Sequence, residues 1–316
     1  MKHAVPYSVG LLLALLGAMV IAGCGGGGGS SDAYVFVAKW GTGGTGDGQF
    51  ANARGIAVDA AGDVYVADQL NSRIQKFTSA GAFVTKWGTA GAGNGEFDSP
   101  MDVAVSAGGS VYVVDNGNHR IQRFTNAGVY VGQWGSNGNG DGEFYTPIGV
   151  AVAPSGEVYV ADTGNTRIQR FTAAGAYIGQ WGGFGTANGE FSQPRGIAVD
   201  ATGDVYVADT LNNRIQRFDA DGTFVTKWGT PGSGVGQFAA PYDVAVGAGG
   251  EIFVADRDNS RIQRFTDLGV FDVMWGTAGS GDGQLVQPNG VAADSAGFVY
   301  VTDYGNERLQ KFQPAP

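Results

Sequence analysis

Short β-branched and aromatic runs, broken by turn residues, fill the chain after residue 32. A representative stretch has an apolar run at 194–199, a turn at 201–204, a second run at 205–209 and a loop at 210–213. A third run at 214–218, a turn at Gly222 and a fourth run at 223–228 complete it. Such runs, punctuated by Gly, Asn and Asp, predict four antiparallel strands. No segment after residue 32 carries a convincing helical period. Val205, Tyr206, Val207 and Ala208 are apolar on both faces of their strand, which suits a sheet packed between two others.

The unit then repeats. Trp40, Trp87, Trp134, Trp181, Trp228 and Trp275 are all the tryptophans, each 47 residues after the last. A fixed period of this length marks a repeat architecture. The sixth copy stops soon after Phe312, where its fourth run should begin. Residues 33–39 fit that missing register, because Phe36 leads at the same interval to Phe83, Tyr130, Tyr177, Phe224 and Phe271. The expectation is one all-β, six-bladed β-propeller over residues 33–316, made of four-stranded antiparallel blades. The N-terminal strand completes the last blade and so covers two open sheet edges with one pairing.

The periods resemble the NHL repeat. Its pattern runs W-G-x-x-G-x-G-x-G-[EQ]-F-x-x-P-x-G-[IV]-A-V, then G-x-V-Y-V-[AV]-D-x-x-N-x-R-[IL]-Q-[KR]-F. The resemblance covers essentially all of 33–316. Departures are small: Ala53 stands where the other copies have Pro100, Pro147, Pro194, Pro241 and Pro288, and Leu285 replaces a phenylalanine. NHL propellers include peptide amidating lyases, RNA-binding modules, sensor domains of bacterial kinases and exported proteins, so the resemblance implies the ring and not the task.

The N-terminus reads as an address. Lys2 and His3 precede an uncharged stretch over 9–22, too short to span a bilayer, which needs ~20 residues, but of signal-peptide length. Ile21-Ala22-Gly23-Cys24 resembles the bacterial lipobox, and Cys24 is the only cysteine. The expectation is a lipoprotein signal peptide at 1–23, with Cys24 as the lipidation site. A Gly/Ser tether at 24–32 would follow. Gly25 is not aspartate, which by resemblance to enteric sorting rules implies an anchor in the outer membrane of a bacterial cell envelope.

Composition narrows the task. The 316 residues hold 56 glycines, 19 Lys+Arg and 29 Asp+Glu, for a net charge of −10. An acidic chain lacks the basic field of a nucleic-acid binder. One cysteine and two histidines leave no disulfide framework and no Cys/His zinc site. No cofactor is implied, and nothing in the pattern calls for more than a monomer. The Gly-rich loops after each tryptophan do not lie between a strand and a helix, so they are not dinucleotide cradles. They read as blade-to-blade crossings with glycine supplying positive φ.

Residues copied in all six blades read as architecture. Asp68, Asp115, Asp162, Asp209, Asp256 and Asp303 end the second run, and Arg73, Arg120, Arg167, Arg214, Arg261 and Arg308 start the third. They are expected to form ion pairs bracing that turn, with Asn71 and its five equivalents bonding loop backbone. Once the repeated cations are assigned, three arginines remain after the leader: Arg54, Arg195 and Arg257. In a propeller all three fall on one face. The slots at the channel mouth vary as Arg54, Met101, Ile148, Arg195, Tyr242 and Asn289, then as Gly55, Asp102, Gly149, Gly196, Asp243 and Gly290. Arg54 and Arg195 lie three blades apart, as do Asp102 and Asp243. The plainer reading is an Arg–Asp network plugging the channel. The other is a site around the mouth formed by Arg54, Met101, Asp102, Arg195, Tyr242, Asp243, Arg257, Asn289 and Tyr304.

Two functions follow. The first is a lipid-anchored, non-catalytic binding or scaffold propeller whose partner is a protein, glycan or small anionic ligand of the envelope. The second is a calcium-dependent hydrolase or lyase, with Asp102, Asp243 and Asn289 as weak oxygen ligands. The amidating-lyase resemblance would need histidine metal ligands, and only His119 follows the leader. It is expected to be exposed.

Overall fold

The computed structural model describes Met1 and residues 34–316. The expected signal peptide, Cys24 and its tether therefore lie outside the described residues. Six four-stranded sheets form the ring. In the first blade the strands run outward as Ala53–Val58, Val64–Asp68, Arg73–Phe77 and Phe83–Trp87, and the next four blades repeat that order. In the sixth, Pro288–Ala293, Val299–Asp303 and Arg308–Pro314 are joined by Tyr34–Trp40 from the other end of the chain. Tyr34 lies opposite Pro314, Phe36 opposite Phe312 and Trp40 opposite Leu309, antiparallel.

The core is a set of wedges between neighbouring sheets. Between the third and fourth blades, Tyr159, Ala161, Ile168, Phe191, Val205, Val207 and Phe218 pack together, all fully buried. Both faces of each second strand are covered, as the unbroken apolar runs require.

The closing strand solves a local problem. In the other five blades a turn glycine (Gly81, Gly128, Gly175, Gly222 or Gly269) lies at positive φ directly on the tryptophan of the preceding blade. At Gly81 an added Cβ would meet the Trp40 indole at 2.7 Å. The sixth blade has no such turn, because its outermost strand begins there. Tyr34 fills the place instead, stacking on Trp275 at 4.3 Å and meeting Phe253 edge-on at 5.7 Å.

The loop between second and third strands is a one-turn 3-10 helix in five blades, as at Gln69–Asn71 and Thr210–Asn212. The next residue is left-handed without being glycine: Ser72, His119, Thr166, Asn213, Ser260 and Glu307 have φ between 50° and 54°. Asn71 and Arg73 bond carbonyls of Gly44, Thr45 and Gly46. Crossing loops and second-to-third-strand turns thus share one face, the face that carries the channel mouth.

Candidate functional site at the channel mouth

The sixfold polar network comes first, because it positions the rest. Asp209 ends its strand opposite Arg214. Its buried carboxylate accepts from Arg214 Nε at 2.7 Å, Asn212 Nδ2 at 2.9 Å, Gln216 Nε2 at 3.1 Å and the Ser192 amide at 2.7 Å. Arg214 then donates to the carbonyls of Thr186, Ala187 and Glu190 in the crossing loop. The network therefore braces the turn, as expected, and also staples down the crossing loop. Gln216 and its equivalents were not singled out from the sequence, although the signal was there: a glutamine stands in all six third strands. Each is fully buried, and each bonds both the aspartate and the crossing loop.

The three unassigned arginines meet at one ring. Arg195, Arg257 and Arg54 place their guanidinium carbons 4.4, 5.3 and 6.0 Å from the centre of the buried Tyr242 ring. Arg54 also donates to the Tyr242 hydroxyl at 2.9 Å and lies 4.6 Å from the centre of the Tyr304 ring. Glutamine carbonyls steady all three: Gln69 accepts from Arg54, Gln193 from Arg195 and Gln287 from Arg257. These glutamines come from slots that vary between blades, so no pattern marked them in advance.

Asp102 and Asp243 do not pair with these arginines, which corrects the expected Arg–Asp plug. Each carboxylate is held by backbone. Asp102 accepts from the amides of Val103 at 2.8 Å and Val150 at 2.9 Å, and Asp243 from Val244 at 2.9 Å and Val291 at 2.8 Å. Each aspartate thus reaches one blade forward and ties adjacent inner strands. Among the described residues neither Arg54 nor Arg195 has a carboxylate partner, and Arg257 pairs only with its neighbour Asp258 at 3.1 Å. The plug is a cation–π stack centred on Tyr242, with the carboxylates as a separate layer.

That layer divides the axis. Above it, a small mouth pocket is lined by Arg54, Met101, Ile148, Tyr242 and Asn289. Below it, a wider channel is walled by the alanines and valines of the inner strands. Asp102 and Asp243 line both. Burial pushes both carboxyls up, Asp243 to about 7, and the neighbouring Asp243 pushes Asp102 further. Burial likewise pushes Arg195 down, and the charges of Arg54 and Arg257 add to that.

Calcium fits this layer poorly. It wants six to eight oxygens. All four carboxylate oxygens of Asp102 and Asp243 already accept backbone bonds, and Asn289 Oδ1 accepts from Arg257 Nε at 3.1 Å. Among the described residues no cluster of three or more His, Cys, Asp or Glu could hold a metal. His119 is not freely exposed. It is half-buried, stacks on Tyr145 at 5.9 Å, and its Nδ1 accepts from the Thr146 amide at 3.2 Å.

The fold and its polar framework define a six-bladed β-propeller of repeated, near-identical units. The chain belongs to the NHL repeat family, which matches at residues 50–77, 97–124, 144–171, 191–218, 238–265 and 285–312. No curated protein sequence matches the chain. Several solved structures share the fold. A structural genomics protein of unknown function from Bacteroides thetaiotaomicron is 17% identical, with TM-score 0.70, covering 90% of this chain and 76% of that one. An auxiliary nutrient binding protein from Bacteroides ovatus is 17% identical, with TM-score 0.65, covering 90% and 78%. A gluconolactonase from Xanthomonas campestris is 16% identical, with TM-score 0.63, covering 85% and 87%. At these identities the likeness is one of fold.

Proposed function

We propose that this chain is a lipid-anchored propeller of the bacterial cell envelope, held at Cys24 in the outer membrane by its glycine-rich tether. It works as a non-catalytic binding or scaffold module, and it engages its partner or ligand on the face that carries the channel mouth. One observation carries this reading. In a molecule built of nearly interchangeable blades, the residues that break the repeat gather at the mouth: Arg54, Arg195 and Arg257 around Tyr242. Architecture needs sixfold copies, so residues present once or twice and brought together are free to serve a site. The fold likeness to an auxiliary nutrient binding protein is in keeping with this.

The alternative is a hydrolase or lyase working in the channel. The gluconolactonase likeness and the upward-shifted carboxyl pair favour it. Two measurements decide between them. Replacing Arg54, Arg195 and Arg257 with alanine should leave melting nearly unchanged and weaken capture of a partner from envelope extract. Unchanged capture would defeat the assignment of the site. Calcium titration should shift melting little. A large shift, lost in Asp102→Ala and Asp243→Ala, would favour the enzyme.

A further inference from the structure

The mouth has more positive charge and more unused donors than the protein answers. Three guanidiniums crowd one ring, and like charges at that spacing repel. Two donors beside them are stranded. Arg195 Nε and Asn289 Nδ2 are shielded from solvent and bond to nothing among the described residues. Asn289 is only 3% exposed and lines the mouth pocket. Its carbonyl is spent on Arg257, which leaves its amide group as an unpaired donor in the wall of the pocket. Buried polar groups are usually bonded; the six tryptophan Nε1 atoms and Arg123 Nε are also unbonded among the described residues, and of these stranded donors Arg195 Nε and Asn289 Nδ2 are the ones at the mouth. Stranded donors beside uncompensated cations are short of one thing, an anionic acceptor.

Rest this on the mouth being the binding site, and the occupant's class follows: we infer that it takes a single compact oxyanion, a carboxylate or phosphate group, between Arg54, Arg195 and Asn289. Arg54 and Arg195 keep guanidinium nitrogens without partners, and planar guanidinium edges match oxyanions. The pocket is too small for a long polyanion to enter. Around the same face Asp47, Asp258 and Asp282 are already paired, with Lys86, Arg257 and Lys39, so those cations are not free for a longer polyanion to follow. Arg257 bonds Asn289, Gln287 and Asp258, and so acts as a positioning residue that holds the Asn289 side chain in the pocket wall.

Titration calorimetry on the full-length chain in low-salt buffer tests this, with acetate and glucuronate as carboxylate probes, inorganic phosphate as the second arm and glucose as the neutral control. The expected result is one site per chain for carboxylate, phosphate or both, no heat with glucose, and weakening on added salt. The stronger arm identifies the group. Arg195→Gln and Asn289→Ala should each weaken binding about tenfold, the size of one lost hydrogen bond to a charged group, while the thermal melt stays cooperative. No binding in either arm at 10 mM (roughly the limit of the weakest specific sites) overturns the inference, as does binding that both substitutions leave intact. Partner capture that depends on the three arginines, with no anion binding, would sink this inference and leave the binding-module reading standing. Anion binding with unchanged capture would uphold this inference and defeat only the mouth's role in capturing a partner from extract.

Discussion

Removing one ring from the closing strand tests whether ring closure carries the stability of the whole propeller. Tyr34 is 7% exposed and covers Trp275 where every other blade uses glycine backbone. Tyr34→Ala would strip the stack and the contact with Phe253, and leave a ring-sized cavity in the wedge that also holds Ile262, Leu285 and Phe312. Truncating a buried aromatic costs about 3–5 kcal/mol. For a domain of this size each kcal/mol lowers the melting point by about 2–4 °C, so a fall of roughly 6–20 °C is expected. Two controls separate closure from chemistry. Tyr34→Phe keeps the ring and loses only the hydroxyl beside Arg264, so it should cost no more than about 1 kcal/mol. Val35→Ala, next along the same strand but 38% exposed, should cost under ~1 kcal/mol. Differential scanning calorimetry on the three variants reads the answer. If Tyr34→Ala melts within a degree or two of Val35→Ala, the strand closes the ring without stabilising it, and the argument fails.

Asp209→Ala should cost about 3–5 kcal/mol in denaturant unfolding, because it leaves the Arg214 charge buried without its carboxylate; a loss under 1 kcal/mol would mean the network is not what staples the crossing loop. Gly196→Ala should destabilise by about 1–3 kcal/mol, since its Cβ would sit 2.4 Å from the Asp243 Cα, whereas Gly132→Ala, with open space around it, should be neutral or slightly stabilising; equal melting points for the two would refute the steric reading of the mouth. The carboxyl pair sets a pH dependence. Because folding raises both Asp243 and Asp102 above the unfolded value near 3.9, the folded state holds more protons, and the pair's contribution is fully present below about pH 4 and lost as pH rises through about 7. The melting point of Asp102→Asn/Asp243→Asn should therefore fall less between pH 5 and 8 than that of the parent, and parallel curves would show that the slope arises elsewhere.

Most of the fold was legible because repetition separates roles. A 47-residue period located the strands of the six blades, and the fourth-strand register of residues 34–40 located the closure, since both depend only on local alternation and on copies in register; the short parallel pair Thr42–Gly43 and Gln49–Phe50 in the first crossing loop was not legible. The Asp–Arg–Asn set was legible for the same reason. What the sequence could not supply was the convergence on Tyr242. Arg54 and Arg195 occupy matching slots in opposite blades, yet both reach one ring, and Arg257 arrives from a different loop altogether. Side chains of that length choose partners across the axis, and register is silent about that choice. The misjudged Arg–Asp plug has the same origin: charge count suggested pairing, while the local geometry had already given the aspartates to backbone amides.

That geometry also accounts for the order of residues around the constriction: Gly55, Asp102, Gly149, Gly196, Asp243, Gly290. A Cβ at Gly55 would lie 1.9 Å from Asp102 Oδ1, and one at Gly196 would lie 2.4 Å from Asp243 Oδ1. The blade before each aspartate must therefore present glycine. A Cβ at Gly149 would strike the Arg195 carbonyl at 2.1 Å, and one at Gly290 the Arg54 carbonyl at 2.7 Å. The blade after each aspartate must do the same, and that glycine is the residue just before the amide each aspartate claims, Val150 or Val291. Each aspartate thus closes the slot before it to a side chain, while the slot after it is closed by the carbonyl of Arg195 or Arg54 in the blade beyond. The arginines in the preceding slot share the glycine-bearing blades 1 and 4, where backbone without side chain leaves the mouth open enough for both to lean over it. Packing around a narrow axis thus accounts for all four glycines of the constriction.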